Sequence, residues 1–170
     1  MNPMMFPKML TSHGEGWDWL MRIHPSVAKT YLFYVLPMSL IPPAMLLYAW
    51  NTYGGPPLPE ITRNEALFLA TVFLVAELVM VPIMGRVLQM IGQVADSSPS
   101  YQSAFTLAAV VPTPLWLVPL ALFVPSLIFN ILMMLTALAC SAALIFQGVD
   151  RTYDLRDEGH SLPLAGSVFA

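Results

Sequence analysis

The sequence predicts an all-α fold: a polytopic transmembrane bundle of four helical spans, broken in places by proline and preceded by an amphipathic helix at the membrane surface. Three observations predict it. The chain is 57% hydrophobic and only 10% charged, whereas soluble domains carry about 25% charged residues. Its charges are gathered between long uncharged runs, the longest being the 53 residues from Ser97 to Val149. It also has 16 prolines, which membrane helices tolerate because neighbouring groups satisfy the carbonyls that proline leaves free.

Residues 1–29 form the expected N-terminal segment. Ser12 and Glu15 have the spacing of a capping box, and Trp17, Leu20 and Met21 then share one face of a helix over 16–23. The piece is too short to span. With Trp17 and Trp19 beside Asp18 and Arg22, it reads as a helix lying at headgroup level, or as a loop packed on a partner subunit. Met1, Met4, Met5 and Met9 with His13 and His24 offer soft copper(I) ligands. Packing is the better reading, because methionine recurs through the apolar runs and Pro3 and Pro7 oppose a preformed cage. The acids Glu15 and Asp18, and the absence of an apolar run before Tyr31, argue against a signal peptide.

The transmembrane domain is expected over 30–149. The first span, 31–50, is uncharged, carries Tyr31, Tyr34, Tyr48 and Trp50 toward its ends as an interfacial belt, and is bent or broken by Pro37, Pro42 and Pro43. The turn-rich stretch 51–64 follows with Arg63, and Glu65 sits favourably at the start of the next helix dipole.

The second span, 66–85, has Glu77 as its sole ionisable side chain. Twenty residues at about 1.5 Å each cover the hydrocarbon core, which places Glu77 near mid-membrane. A carboxylate there costs about 3 kcal/mol, so it protonates, finds a partner, or faces a protein or water-filled interior. Pro82 lacks the N–H that would bond the Leu78 carbonyl, so an unsatisfied acceptor and a kink are expected beside the acid. One reading is a proton- or ion-handling site. The other, preferred because no second charge accompanies it within the spans, is a neutral acid bonded to the freed carbonyl or to a neighbouring helix.

The uncharged run must hold two spans. Pro125-Ser126 is its best turn, giving a third span at 105–123, broken around Pro112, Thr113, Pro114 and Pro119, and a fourth at 127–149. The fourth carries Ala137, Ala139, Ser141, Ala142 and Ala143 for close packing, and Asn130 for a hydrogen bond across helices. Residues 150–170 form a tail that is charged to His160 and then turns apolar over 164–170, as though a further span were starting.

With four spans, Lys8, Arg22, Lys29, Arg86, Arg151 and Arg156 share one side and Arg63 lies on the other. That bias places both termini in the cytoplasm.

Function classes narrow accordingly. No basic stripe suits nucleic acid. Cys140 alone supports no disulfide or zinc site, and no cofactor is implied. His13, His24 and His160 lie outside the spans and no nucleophile–base set is visible, so enzymatic activity is not expected.

Taken in order, the His24-Pro25 ending, the proline-bearing first span, VMVPIMGRVLQMIG, AFTLAAVVPTPLWLVPLAL and FQGVDRTYDLRDEGHS are similar to the bacterial branch of the Yip family of integral membrane proteins. The resemblance covers about residues 16–165. It implies a polytopic helical fold without established enzymatic activity, and usually five spans, so that 164–170 would begin a fifth. Eukaryotic relatives act in vesicle trafficking through Rab-type GTPases, but their first-span motif is not visible here and GTPase binding is not carried over. Two functions remain open: an accessory or scaffold subunit packing against other membrane proteins or further copies of itself in a bacterial inner membrane, and a small ion- or proton-coupled transporter using Glu77.

Overall fold

The computed structural model describes residues 25–53, 61–94, 97 and 99–152. The expected surface helix at 16–23, the methionine-rich start and the apolar end of the tail lie outside the described residues. Those that are described form helices, with no strand among them. Four helices are long and apolar enough to cross a membrane: Val27–Tyr53, Arg63–Val94, Tyr101–Phe123 and Leu127–Val149.

The first span changes winding three times, and proline explains each change. Tyr31–Val35 is a π turn in which the Leu36 N–H reaches back five residues to the Tyr31 carbonyl. The wider turn comes just before Pro37, whose ring would otherwise crowd the Phe33 carbonyl. After a short α stretch and a turn at Leu40, the helix Ile41–Tyr53 begins. Pro42 and Pro43 sit in its first turn, where backbone N–H groups have no partner to lose, so the pair opens a helix.

The second span is a single helix of 32 residues from Arg63 to Val94. A capping box starts it: Glu65 Oε2 accepts from the Thr62 N–H at 2.8 Å while the Glu65 N–H approaches Thr62 Oγ1 at 3.4 Å. The helix runs on through Pro82 without a break. Proline removes one backbone hydrogen bond and crowds the preceding turn, and here the freed Leu78 acceptor is met by Tyr31 of the first span.

The third span is the broken one. It comprises Tyr101–Val110, a turn at Val111 and Pro112, Thr113–Leu117, and a 3₁₀ stretch Val118–Phe123. It begins four residues before the sequence expectation, because Ser100 caps it by accepting from the Ser103 N–H at 3.1 Å. The fourth span continues as helix from Leu127 to Thr152.

The core forms around the third span. Residues 104–110 are all buried, packed with Tyr34 and Val35 of the first span, Val81 and Leu88 of the second, and Leu144, Ile145 and Val149 of the fourth. Burying seven consecutive residues means covering every side of a helix, which is how a central helix differs from an amphipathic one. Gly85 makes the closest approach: a Cβ there would lie 3.1 Å from the Phe105 Cα. The fourth span turns Ala137, Ser141, Leu144 and Ile145 inward, one stripe at helical spacing, and leaves Ala139 exposed.

Candidate functional site

The polar chemistry of the bundle starts with its prolines. Each interior proline deprives the carbonyl four residues earlier of its donor, and in hydrocarbon an unmet carbonyl costs several kcal/mol. Hydroxyl groups meet that cost at Pro82 and Pro114. The Leu78 carbonyl freed by Pro82 accepts from Tyr31 Oη of the first span at 3.0 Å. The Val110 carbonyl freed by Pro114 accepts from Thr113 Oγ1, and Tyr34 Oη in turn donates to Thr113. The Val111 carbonyl, at the turn before Pro112, accepts from Ser141 Oγ of the fourth span at 3.0 Å. At the far end, Tyr53 Oη donates to the Leu122 carbonyl at 3.0 Å, where the 3₁₀ stretch closes.

This arrangement corrects two expectations. Tyr31 and Tyr34, read as interfacial belt residues, point into the bundle as donors, with Tyr34 nearly fully buried. Their spacing of three residues just ahead of Pro37 is the signal that could have found them. Asn130 bonds within its own turn, through Nδ2 to the Ser126 carbonyl at 2.8 Å and the Val124 carbonyl at 3.1 Å. The carbonyls at the helix start take its amide donor, so among the described residues its side-chain bonds stay within its own turn.

Because Tyr31 takes the Leu78 carbonyl, Glu77 is left to a different environment. Its side chain lines a groove of about 500 Å³. Phe73, Glu77, Met80, Val81 and Met84 of the second span form one wall, Met134 and Ile145 of the fourth stand on the other side, and Leu107, Ala108, Pro112 and Trp116 of the third make the floor. Phe73, Met80, Met84 and Met134 are exposed, so the groove opens sideways. Glu77 Oε2 is buried without a hydrogen-bond partner, and the Trp116 indole is turned toward the carboxyl. Among the sequence candidates, the fold therefore brings Glu77 and Pro112 to one groove, sets Thr113 and Pro114 in the adjoining hydroxyl network, holds Pro82 within the continuous helix one turn below, and leaves Asn130 apart. Trp116 and the methionine rim were missed, since nothing in an apolar run announces which residues will share a wall.

A second cluster marks the opposite end from Arg63. Arg86 stacks on the Tyr101 ring at 4.2 Å and donates to Gln89 Oε1 at 3.1 Å. Gln102 Nε2 donates to the Pro25 carbonyl at 2.9 Å, tying the start of the third span to the start of the first. Lys29 thus lies at the same end as Arg86.

A family model described as the Yip1 domain matches residues 8–170. The chain belongs to the Yip1 family. Neither a curated protein nor a solved structure matches it. With four apolar spans and this domain, the Yip1-family chain is an integral membrane protein whose helices contact the bilayer.

What the Yip1-domain groove can do chemically follows from its composition. It offers an apolar cavity with one hydrogen-bonding acid, open toward the flank of the bundle.

Proposed function

We propose that this Yip1-family protein is a non-enzymatic accessory subunit of the bacterial inner membrane that packs against other integral membrane proteins, with both termini at the cytoplasmic face. One observation carries the reading. Only 11% of the apolar window of the second span and 22% of that of the fourth are buried inside the bundle, against 44% for the third. The third span is consumed by its own fold, while two regular helices keep broad apolar flanks for neighbours. Helix association in membranes runs on such packing rather than on the hydrophobic effect. The hydroxyl network supports the reading by fixing the broken spans, so the flanks are presented by a rigid frame. Lys29 and Arg86 at one end and Arg63 at the other support the orientation.

Photo-crosslinking tests it. A photoreactive residue in place of Val72 or Val79, both exposed on the second span, is expected to give a discrete protein adduct in cells, of the same mass from either position. Adducts with lipid alone, or a smear of unrelated masses, would overturn the reading.

A further inference from the structure

The groove beside Glu77 has the proportions and chemistry of a ligand site. Its volume of about 500 Å³ falls within the roughly 300–1,000 Å³ of small-molecule pockets. One turn of a helix about 10 Å wide fills nearly as much space, so the cavity suits a compact molecule better than a crossing helix. Its lining is apolar except at one point. Phe73 and Glu77 are one turn apart on the second span, and Met80, Val81 and Met84 continue the same face.

At that point the Trp116 indole serves the carboxyl from one side, and one oxygen is left over. Tyr31 satisfies the neighbouring Leu78 carbonyl, yet Glu77 Oε2 is buried and unpartnered, and buried polar atoms in native proteins are nearly always paired. A rotation of the Glu77 side chain toward the groove it lines lets an occupant bring Oε2 a hydrogen-bond donor. That occupant enters from the bilayer, because the exposed rim of Phe73, Met80, Met84 and Met134 faces outward from helices that cross it.

A carboxyl and an amine sharing one proton carry no net charge as a pair, which suits a site at this depth. The exposed Phe73 ring a turn away adds an aromatic face for the ammonium, and methionine side chains adapt to an irregular hydrocarbon. We propose that the groove between the second and fourth spans binds a lipophilic amine, its nitrogen bonded to Glu77 and its hydrocarbon lying along the methionine wall.

The test uses the full chain in phosphatidylcholine nanodiscs with tritiated N,N-dimethyldodecylamine as probe, empty discs serving as background. Saturable binding of about one probe per protein is expected. Removing a charge-assisted hydrogen bond should weaken it about tenfold or more in Glu77→Gln. Met80→Trp, which keeps the acid and fills the exposed rim, should weaken it comparably, and decides the matter alone should Glu77→Gln fail to fold. Excess 1-dodecanol should not compete. Unsaturable uptake, equal affinity in Met80→Trp or in a folded Glu77→Gln, or competition by dodecanol at similar concentration would overturn the proposal. So would disulfide-linked dimers of Met84→Cys in a Cys140→Ala background that no longer take up the amine, since a second copy would then fill the groove.

Discussion

The third and fourth spans come from one uncharged run and are built in opposite ways. The third is interrupted at Val111–Pro112 and again where it tightens into 3₁₀ winding, yet it holds the centre of the bundle with residues 104–110 buried. The fourth is regular from end to end and keeps most of its large side chains outside, Leu127, Ile128, Leu132 and Leu135 among them. Irregular backbone at membrane depth is tolerable only where protein surrounds it and supplies the missing hydrogen bonds. The break at Val111–Pro112 therefore sits against the enclosed stretch, where Thr113, Tyr34 and Ser141 supply its hydrogen bonds.

If so, damage to the third span and its contacts should cost far more than similar changes on the fourth. The largest effect is expected at Gly85, where a side chain meets the Phe105 backbone at 3.1 Å. Gly85→Val should destabilise the protein by about 3 kcal/mol, whereas Ala139→Val on the exposed side of the fourth span should fall within about 0.5 kcal/mol. Unfolding of the purified protein in mixed micelles, followed by circular dichroism, measures both. Equal losses would break the contrast.

Next comes the network at the break. Thr113→Val removes the donor to the Val110 carbonyl and the acceptor for Tyr34 together, with an expected cost of about 2 kcal/mol. Thr136→Val deletes a hydroxyl of the fourth span that bonds its own Leu132 carbonyl on the exposed surface, and should cost only about 0.3 kcal/mol. The same unfolding assay compares the pair.

A smaller loss, about 1 kcal/mol, is expected for Tyr31→Phe, which strips the donor from the Leu78 carbonyl. Hydrogen exchange should also quicken in the second span around Pro82. An unchanged exchange rate there would mean the helix crosses its proline unaided.

An effect as small as those of the exposed controls is predicted at Glu77. With Oε2 unpartnered and an amide oxygen still able to accept from the Trp116 indole, Glu77→Gln should shift unfolding by less than about 0.5 kcal/mol. A loss above 1 kcal/mol would show the acid to be part of the frame.

The sequence expectations divide along the same line. Four apolar spans, the turn at Pro125-Ser126 and the break around Pro112, Thr113 and Pro114 are legible because composition and proline act locally. The partners are not. A span that is apolar on every side carries no stripe from which its rotation can be read, so nothing beforehand assigned Tyr31 to Leu78, Ser141 to Val111 or Trp116 to Glu77. Pro82 illustrates the limit best. Its local effect is certain, a carbonyl without a donor, but what meets that carbonyl is a tyrosine 47 residues away.

That uninterrupted second helix also has a length to reckon with. Its 32 residues extend about 48 Å, well past the roughly 30 Å of hydrocarbon. Its apolar portion at 66–85 alone matches that thickness, and Arg86, braced on Tyr101, marks where the match ends. In a thicker, sterol-rich membrane the guanidinium would be drawn below the headgroups, while in a thinner one the rod can lean. The distance from Ala66 to Arg86 thus sets the bilayer thickness at which this span meets the hydrocarbon without mismatch.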